Sequence, residues 1–135
     1  MNSERITRVL VVGGDAAMVR GFSAMLDDAP DMEVIAEVGA CDEAVAAARE
    51  LHPDVALVLV DSMVGGTDGM GTVQAIARVR PWMRAVVITG NVVRNLVPAV
   101  KAGAAGILSA ESSRAELLTA VRRIHEVAFY SAAVG

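Results

Sequence analysis

The 135-residue sequence predicts an α/β fold in which a parallel sheet carries helices on both faces. Short apolar runs alternate five times with stretches of helical length, which is the pattern of consecutive strand–helix units. The run at residues 55–60 is continuously apolar, as is typical of a central parallel strand buried on both faces. Hydrophobic residues make up 54% of the chain and aromatic residues only 3%, so we expect a core of small side chains between helices and sheet.

Each predicted element has a boundary signal. Ala29-Pro30, His52-Pro53 and Pro81 follow three of the helical stretches, where proline opposes a continued helix. Ser113 and Glu116 have the spacing of a capping box at the start of the last helix. The alternating residues 32–38 favour a strand near the sheet edge. The predicted strands are 9–12, 32–38, 55–60, 85–89 and 106–108, and the predicted helices are 15–28, 42–51, 70–80, 91–102 and 113–127.

Composition excludes several function classes. The net charge of −4 opposes a nucleic-acid surface in this chain, because phosphate binding needs clustered Lys and Arg. Cys41 is the single cysteine, so no disulfide can form within the chain and a reducing, cytoplasmic compartment is expected. No apolar run has the length of a membrane span. No nucleophile, base and orienting group can be assembled from the sequence, so we expect no enzyme.

The turn after the first strand contains Gly13-Gly14, which raises the possibility of a dinucleotide-binding loop. The G-x-G-x-x-G fingerprint would require glycine at the positions of Asp15 and Met18. Asp15 would also place a carboxylate where a pyrophosphate should bind. We therefore reject a dinucleotide site.

Six short motifs, taken in order, resemble a response-regulator receiver domain of the LuxR/NarL type, which precedes a helix-turn-helix domain. The resemblance covers residues 6–133. It implies a flavodoxin-like (βα)5 fold with a doubly wound, five-stranded parallel sheet in the order 2-1-3-4-5. It also implies a receiver domain at residues 1–128 and the start of a linker, at 129–135, to an output domain absent from this chain. The motifs are 8–22, 52–55, 68–69, 86–89, 101–108 and 113–118.

Receivers take a phosphoryl group onto an aspartate, and the resemblance locates the supporting positions. The family's acidic pair after strand 1, which holds a divalent ion, falls on Gly13 and Gly14. Its lysine falls on Ala110 and its aromatic residue on Ile107, whereas its threonine is kept as Thr89. The resemblance therefore implies a degenerate phosphorylation pocket, and we expect no cofactor and no Mg²⁺.

The position of the phosphoacceptor stays open at this point. Counting back from Asp68 places it at Asp61, and counting forward from Asp54 places it at Leu59, because the chain has two additional residues between these anchors. We favour Asp61, which closes an apolar strand. Asp15 is a weak candidate metal ligand, and a helix N-cap is the more favoured interpretation.

The predicted function is an atypical receiver domain of a transcriptional regulator. It would signal by dimerisation, ligand binding or protein contact without conventional aspartate phosphorylation. One alternative is a switch phosphorylated at Asp61 by a histidine kinase; another is a sensor of a small apolar ligand in a crevice left by Gly13, Gly14 and Ala110. We expect a homodimer, and the candidate surfaces are helix 1 or the face of strand 5 and the last helix with Ala115, Leu118, Val121 and Arg122. We also expect DNA contact only through an output domain, and no membrane contact.

Overall fold

A computed structural model describes residues 5–131 as an α/β domain with a six-stranded, all-parallel sheet in the order β2-β1-β3-β4-β5-β6. The strands are β1 Thr7–Val12, β2 Met32–Val38, β3 Val55–Leu59, β4 Arg84–Thr89, β5 Gly106–Ser109 and β6 Tyr130–Ser131. The helices are α1 Ala16–Asp27, α2 Cys41–Glu50, α3 Gly69–Val79, α4 Val92–Lys101 and α5 Arg114–Arg123. A short 3-10 helix, Ile124–Glu126, follows α5.

The predicted fold class and the strand order 2-1-3-4-5 are confirmed, but the sheet has a sixth strand. The α-helix α5 also ends at Arg123, earlier than predicted. Arg84 explains both differences, because its guanidinium donates hydrogen bonds to the carbonyls of Ile124 (3.2 Å), Ala128 (3.1 Å) and Val127. These carbonyls turn towards β4, and the chain then returns to the sheet edge as β6.

The segment after α5 packs on the domain as far as the structure describes it. Phe129 contacts the core on the α2–α4 side, and Tyr130 pairs with Gly106 of β5. Residues 129–131, expected to begin a linker, therefore lie against the sheet. The remaining linker residues, 132–135, lie outside the described part of the chain, so the domain boundary at residue 128 stays a prediction.

The sheet separates two cores because alternate strand residues face opposite sides. In β1, Val9 and Val11 pack towards α1 and α5, whereas Leu10 and Val12 pack towards α2, α3 and α4. Leu118 and Val121 are 6% and 1% exposed and belong to the first core. These two side chains therefore cannot contribute to a dimer surface, whereas Ala115 and Arg122 of the expected face are exposed, and the homodimer stays a prediction.

The carboxyl ends of β1 and β3 lie side by side where the strand order reverses, the usual location of sites in open α/β sheets. The loops after β1, β3 and β4 meet at this edge. Within residues 5–131, no helix has the length and apolar character needed to cross a membrane.

Candidate functional site

Asp61 and Thr89 form the centre of the candidate site. Asp61 follows the end of β3 by two residues, and Thr89 is the fully buried last residue of β4. The Thr89 hydroxyl donates to Oδ1 of Asp61 at 2.6 Å, and the Gly90 amide donates to Oδ2 at 2.8 Å. Both carboxylate oxygens of Asp61 are thus bonded to the corner between β4 and α4.

The Thr89 hydroxyl also connects this carboxylate to α4. Its oxygen accepts hydrogen bonds from the Asn91 amide (3.1 Å) and from Nδ2 of Asn95 (2.9 Å). A hydroxyl has one donor and two acceptor positions, so the hydrogen-bonding capacity of Thr89 is fully used. Asn91 in turn caps α4, because its Oδ1 accepts from the Arg94 amide at 3.1 Å. The side chain of Thr89 is therefore fixed between β3 and α4.

The structure distinguishes the two positions considered for the phosphoacceptor. Leu59 lies inside β3, is 6% exposed and pairs with Ile88 of β4. Of these two residues, it is Asp61 that accepts a hydrogen bond from the Thr89 hydroxyl. The role of Asp61 as an acceptor stays a prediction.

The glycine turn after β1 is closed by neighbouring groups. A Cβ added at Gly14 would lie 1.7 Å from the backbone oxygen of Met63. A Cβ at Gly13 would lie 2.9 Å from Cγ2 of Val19 and 3.1 Å from Cβ of Leu59. The space in which side chains at positions 13 and 14 would project is therefore filled, although a crevice lies beside the turn.

The loop between β3 and α3 is a fixed hairpin that supplies the Met63 carbonyl. Val64 and Thr67 exchange backbone hydrogen bonds of 2.6 and 3.2 Å, and Gly65 and Gly66 between them have φ of +59° and +90°. Positive φ at both central residues is the geometry of a two-residue type I′ hairpin turn, which favours glycine. Val64 is fully buried and anchors the hairpin in the core on the α2–α4 side. The hairpin also touches the start of α2, because a Cβ on Gly65 would lie 2.7 Å from that of Ala40.

Two separate crevices lie near the site, in place of the single one expected among Gly13, Gly14 and Ala110. The first has a volume of about 30 Å³, room for about two water molecules. The second has a volume of about 170 Å³ and lies beside the glycine turn. The first is lined by Asp15, Met18, Leu59, Asp61, Ser62, Ile88 and Ala110, and the second by Gly13, Gly14, Ala16, Val19, Arg20, Glu37, Val38 and Gly39.

The other predicted site residues have structural surroundings. Oδ1 of Asp15 accepts hydrogen bonds from the Ala17 and Met18 amides at 3.0 and 3.2 Å, which confirms the helix N-cap interpretation. Ile107 is fully buried in β5, and Ala110 packs against the core on the α1–α5 side. Across residues 5–131, no group of three or more His, Cys, Asp or Glu is arranged to hold a metal ion.

Sequence reasoning missed Met63, Asn91 and Asn95. The spacing of the two asparagines gave a usable signal, because Asn91 precedes a helix and Asn95 lies one turn later on the same face. The position of the Met63 carbonyl had no such signal, since any residue supplies a carbonyl.

The parallel sheet and the polar cluster at its carboxyl edge define an α/β domain of the flavodoxin-like, CheY type. The family model for the response regulator receiver domain matches residues 9–122, and the chain belongs to this family. The transcriptional regulatory protein LiaR of Bacillus subtilis is 38% identical over 117 residues, which cover 85% of this chain and 54% of LiaR. The receiver domain of NarL from Mycobacterium tuberculosis has the same fold, with a TM-score of 0.80 over 90% of this chain and 98% of that domain at 24% identity.

The chain spans about half the length of the curated relatives it matches. One relative contradicts the expectation of no enzyme. Protein-glutamate methylesterase/protein-glutamine glutaminase 3 of Myxococcus xanthus is 37% identical over 81 residues, which cover 60% of this chain and 22% of that protein. The match covers only the receiver region of that protein. This chain is therefore similar to a receiver domain that is joined to an enzyme, and membership of the receiver family does not exclude such an arrangement.

Proposed function

We propose that this chain is an atypical receiver domain that transmits its signal through protein contacts without conventional phosphorylation of Asp61. The observation on which this proposal depends is the Met63 carbonyl above Gly14. A backbone oxygen takes the space that the family's second acidic side chain would need. Gly14 therefore differs from the acidic residue of the family, and the loop that contains Met63 packs against it. A single substitution of Gly14 by an acidic residue would not restore the carboxylate geometry.

The residues at this site do not fit Mg²⁺. Magnesium requires near-octahedral oxygen ligands and is usually held by one or two carboxylates together with water. The carboxylates that line the small crevice are those of Asp15 and Asp61. Asp15 caps α1 through Oδ1, and Asp61 is bonded through both oxygens. Gly13 and Gly14 have no side chain to contribute, so we derive no step through a metal ion.

The charge balance also opposes phosphoryl transfer to Asp61. A carboxylate attacking an anionic phosphoryl donor needs cations that neutralise the developing charge. Ala110 stands where the family has its lysine, and the small crevice is lined by two carboxylates and no basic residue. Removing one such electrostatic contact costs about 3–4 kcal/mol of transition-state stabilisation. Two missing contacts would make phosphorylation of Asp61 very slow.

For the whole protein we propose a transcriptional regulator that acts as a homodimer and contacts DNA through an output domain outside this chain. Support comes from LiaR, a transcriptional regulatory protein about twice as long as the matched region. A histidine kinase would be a productive partner only if Asp61 accepts a phosphoryl group.

The test is to incubate the 135-residue chain with acetyl phosphate and Mg²⁺ and to measure the intact mass. We expect no phosphoryl adduct, whereas a conventional receiver in the same tube is labelled. Asp61→Asn is the matched control for the site of any label. Stoichiometric labelling that this substitution removes would overturn the proposal and establish a phosphorylated switch.

A second candidate function is small-molecule sensing, which the crevice of about 170 Å³ beside Gly13 and Gly14 favours. Arg20 and Glu37 line this crevice and provide opposite charges, so a small zwitterion such as an α-amino acid suits it. A ligand at 100 times its Kd stabilises the folded chain by about 2.7 kcal/mol. Thermal unfolding with a panel of α-amino acids tests this function, and Arg20→Ala should remove any stabilisation.

A further inference from the structure

The segment that follows the 3-10 helix lies along the outer edge of β5. This segment, residues 127–131, is called the strap; it ends in β6, and the Tyr130 amide donates to the Ala105 carbonyl at 2.8 Å. Phe129 packs on the α2–α4 side of the sheet and Tyr130 on the α1–α5 side. The strap therefore contacts both cores and covers part of what would otherwise be an edge strand with unpaired backbone groups.

Arg84, at the start of β4, holds the beginning of the strap in place. Its guanidinium donates to the carbonyls of Ile124 at 3.2 Å and Ala128 at 3.1 Å, and also to that of Val127. Arg84 forms no ion pair with residues 5–131, so its partners there are backbone carbonyls. Hydrogen bonds from a charged donor are about twice as strong as neutral ones. Arg84 is therefore the main attachment of the strap to the sheet.

Gly106 provides the space in which the strap docks. A Cβ at this position would lie 2.8 Å from the backbone oxygen of Tyr130, 3.1 Å from Cβ of Tyr130 and 3.2 Å from Cδ1 of Ile124. Gly106 does not have a positive φ, so its backbone conformation does not require glycine. Glycine inside a strand often marks a close approach of another backbone. The missing side chain in β5 therefore matches the docked strap.

The strap is held by fewer interactions than the other strands. β6 pairs with β5 at Gly106–Tyr130 and Ile107–Ser131, whereas β3 pairs with β4 along its whole length. The buried hydroxyl of Ser131 has no hydrogen-bond partner among residues 5–131, which disfavours the docked state. Segments with few backbone hydrogen bonds open at a lower free energy than the core. We therefore expect the strap to detach while the other five strands stay paired.

Docking of the strap changes the edge of the sheet from which the chain continues. The end of α5 lies at the amino edge, because the Ile124 carbonyl is bonded to Arg84, the first residue of β4. β6 is parallel to β5 and therefore runs back to the carboxyl edge, where the candidate site lies. A docked strap and a detached strap thus direct the chain to opposite edges.

We propose that residues 127–131 form a detachable strap, held by Arg84, which sets the edge of the sheet from which the chain continues. With the strap docked, the chain continues from the carboxyl edge beside the candidate site. With the strap detached, it continues from the amino edge at the end of α5. Movement of the strap would therefore reposition whatever follows it.

This proposal does not depend on the chemistry of the candidate site. The carboxylate of Asp61 is bonded to Thr89 and Gly90 and does not hold the strap. Phosphorylation of Asp61 would overturn the proposed function and leave the strap proposal intact. A strap that does not detach would have the opposite result.

Hydrogen exchange of the full 135-residue chain, followed by NMR, tests whether the strap detaches. The Tyr130 amide should exchange faster than the amides of β1, at a rate that low urea concentrations leave unchanged, because local opening exposes little surface. If Tyr130 exchanged with the rate and urea dependence of β1, the strap would be a permanent strand and the proposal would be overturned. Exchange of Tyr130 at the rate of an unstructured peptide would overturn it as well, because the strap would not be docked.

Two variants test how the strap is held. Arg84→Met removes the charged donor and should accelerate exchange of the Tyr130 amide about tenfold, still without dependence on low urea. Gly106→Ala places a Cβ against Tyr130 and should have an effect in the same direction. Arg122→Met is the matched control, because the ion pair of Arg122 with Asp31 is present whether the strap is docked or detached. Unchanged Tyr130 exchange in Arg84→Met, or equal acceleration in Arg122→Met, would overturn the proposal.

A spin label tests the direction of the chain. A nitroxide attached through Ala133→Cys, with Cys41→Ala, should broaden the amide resonances of residues 109–112 at the carboxyl edge. Addition of Arg84→Met should reduce this broadening and extend it to residues 82–84 at the amino edge. Broadening centred on residues 82–84 without Arg84→Met would overturn the proposed direction.

Discussion

Two corners of the same sheet edge differ in the polar side chains that they present. At the corner between β1 and α1, Gly13 and Gly14 present backbone only, and the Met63 carbonyl lies against the turn. At the corner between β4 and α4, Thr89 bonds to Asp61 on one side and to Asn95 on the other. The first corner is filled by packing, and the second is a complete polar network.

This difference separates two tasks that a receiver site combines. In the proposed function, holding a cation would require carboxylates at the first corner, where this chain has Gly13 and Gly14. Connecting β3 to α4 requires the hydroxyl at the second corner, and that connection is intact. We propose that a domain with this connection couples the position of α4 to its surroundings without phosphoryl chemistry.

The largest expected effect is at the first corner. Gly14→Ala places a Cβ against the Met63 carbonyl, so the hairpin must move, and overpacking of this kind costs about 2–3 kcal/mol of unfolding free energy. Gly21→Ala is the matched control, because nothing lies within 4 Å of an added Cβ in the middle of α1. There the same substitution should stabilise the protein by up to about 1 kcal/mol through helix propensity. Urea denaturation of both variants provides the comparison.

If Gly14→Ala and Gly21→Ala changed the unfolding free energy equally, the proposed packing at the first corner would be contradicted. That result would mean that the hairpin yields without cost and that the glycine turn is open in solution. The proposed occlusion of the metal site would then lose its basis.

The second corner should show a smaller and cooperative effect. Thr89→Ala leaves Asp61 and Asn95 without their shared partner, and the unfolding free energy should fall by about 1–2 kcal/mol. Hydrogen exchange of the amides at residues 90–96 should accelerate, because Thr89 and Asn91 hold the start of α4.

Asn95→Ala completes a double-mutant cycle with Thr89→Ala. Since both residues belong to one network, we expect a coupling energy of about 0.5–1 kcal/mol. Strict additivity would show that Thr89 and α4 are not coupled.

The sequence predicted the fold because the relevant signals are local. The apolar run before Asp61 and the Ser113–Glu116 capping box each specify an element, and the structure contains β3 and the capping box. The sixth strand depends on Arg84, whose contacts with carbonyls some 40 residues away have no sequence pattern. Hydrogen bonds between a side chain and distant backbone groups cannot be predicted from the periodicity of apolar residues.

The candidate site could be predicted only in part for a similar reason. Asp61 and Thr89 were both singled out, and the structure brings them into contact. The family resemblance predicted a crevice at Gly13, Gly14 and Ala110, because a missing side chain leaves space unless another segment fills it. The segment that does so is a hairpin with Gly65-Gly66 at its tip, whose position depends on the burial of Val64.

The smallest expected effect on the unfolding free energy comes from an exposed ion pair. It provides a reference value for the effects of substitutions at the two corners. Arg122 binds Asp31 through two hydrogen bonds of 2.8 and 3.1 Å, and this contact lowers the pKa of the Asp31 carboxyl below its ordinary value of 3.8. Arg122→Met should cost about 0.5 kcal/mol near neutral pH, as for other surface pairs. A lowered folded-state pKa stabilises the protein above pH 3.8, and this contribution is lost as the pH falls through the lowered value. Urea denaturation at neutral pH and at pH below that value should therefore show the difference from the wild type only at neutral pH. If Arg122→Met cost as much as Thr89→Ala, the Thr89 network would contribute no more than a surface pair, and the contrast between the corners would rest on the glycine turn alone.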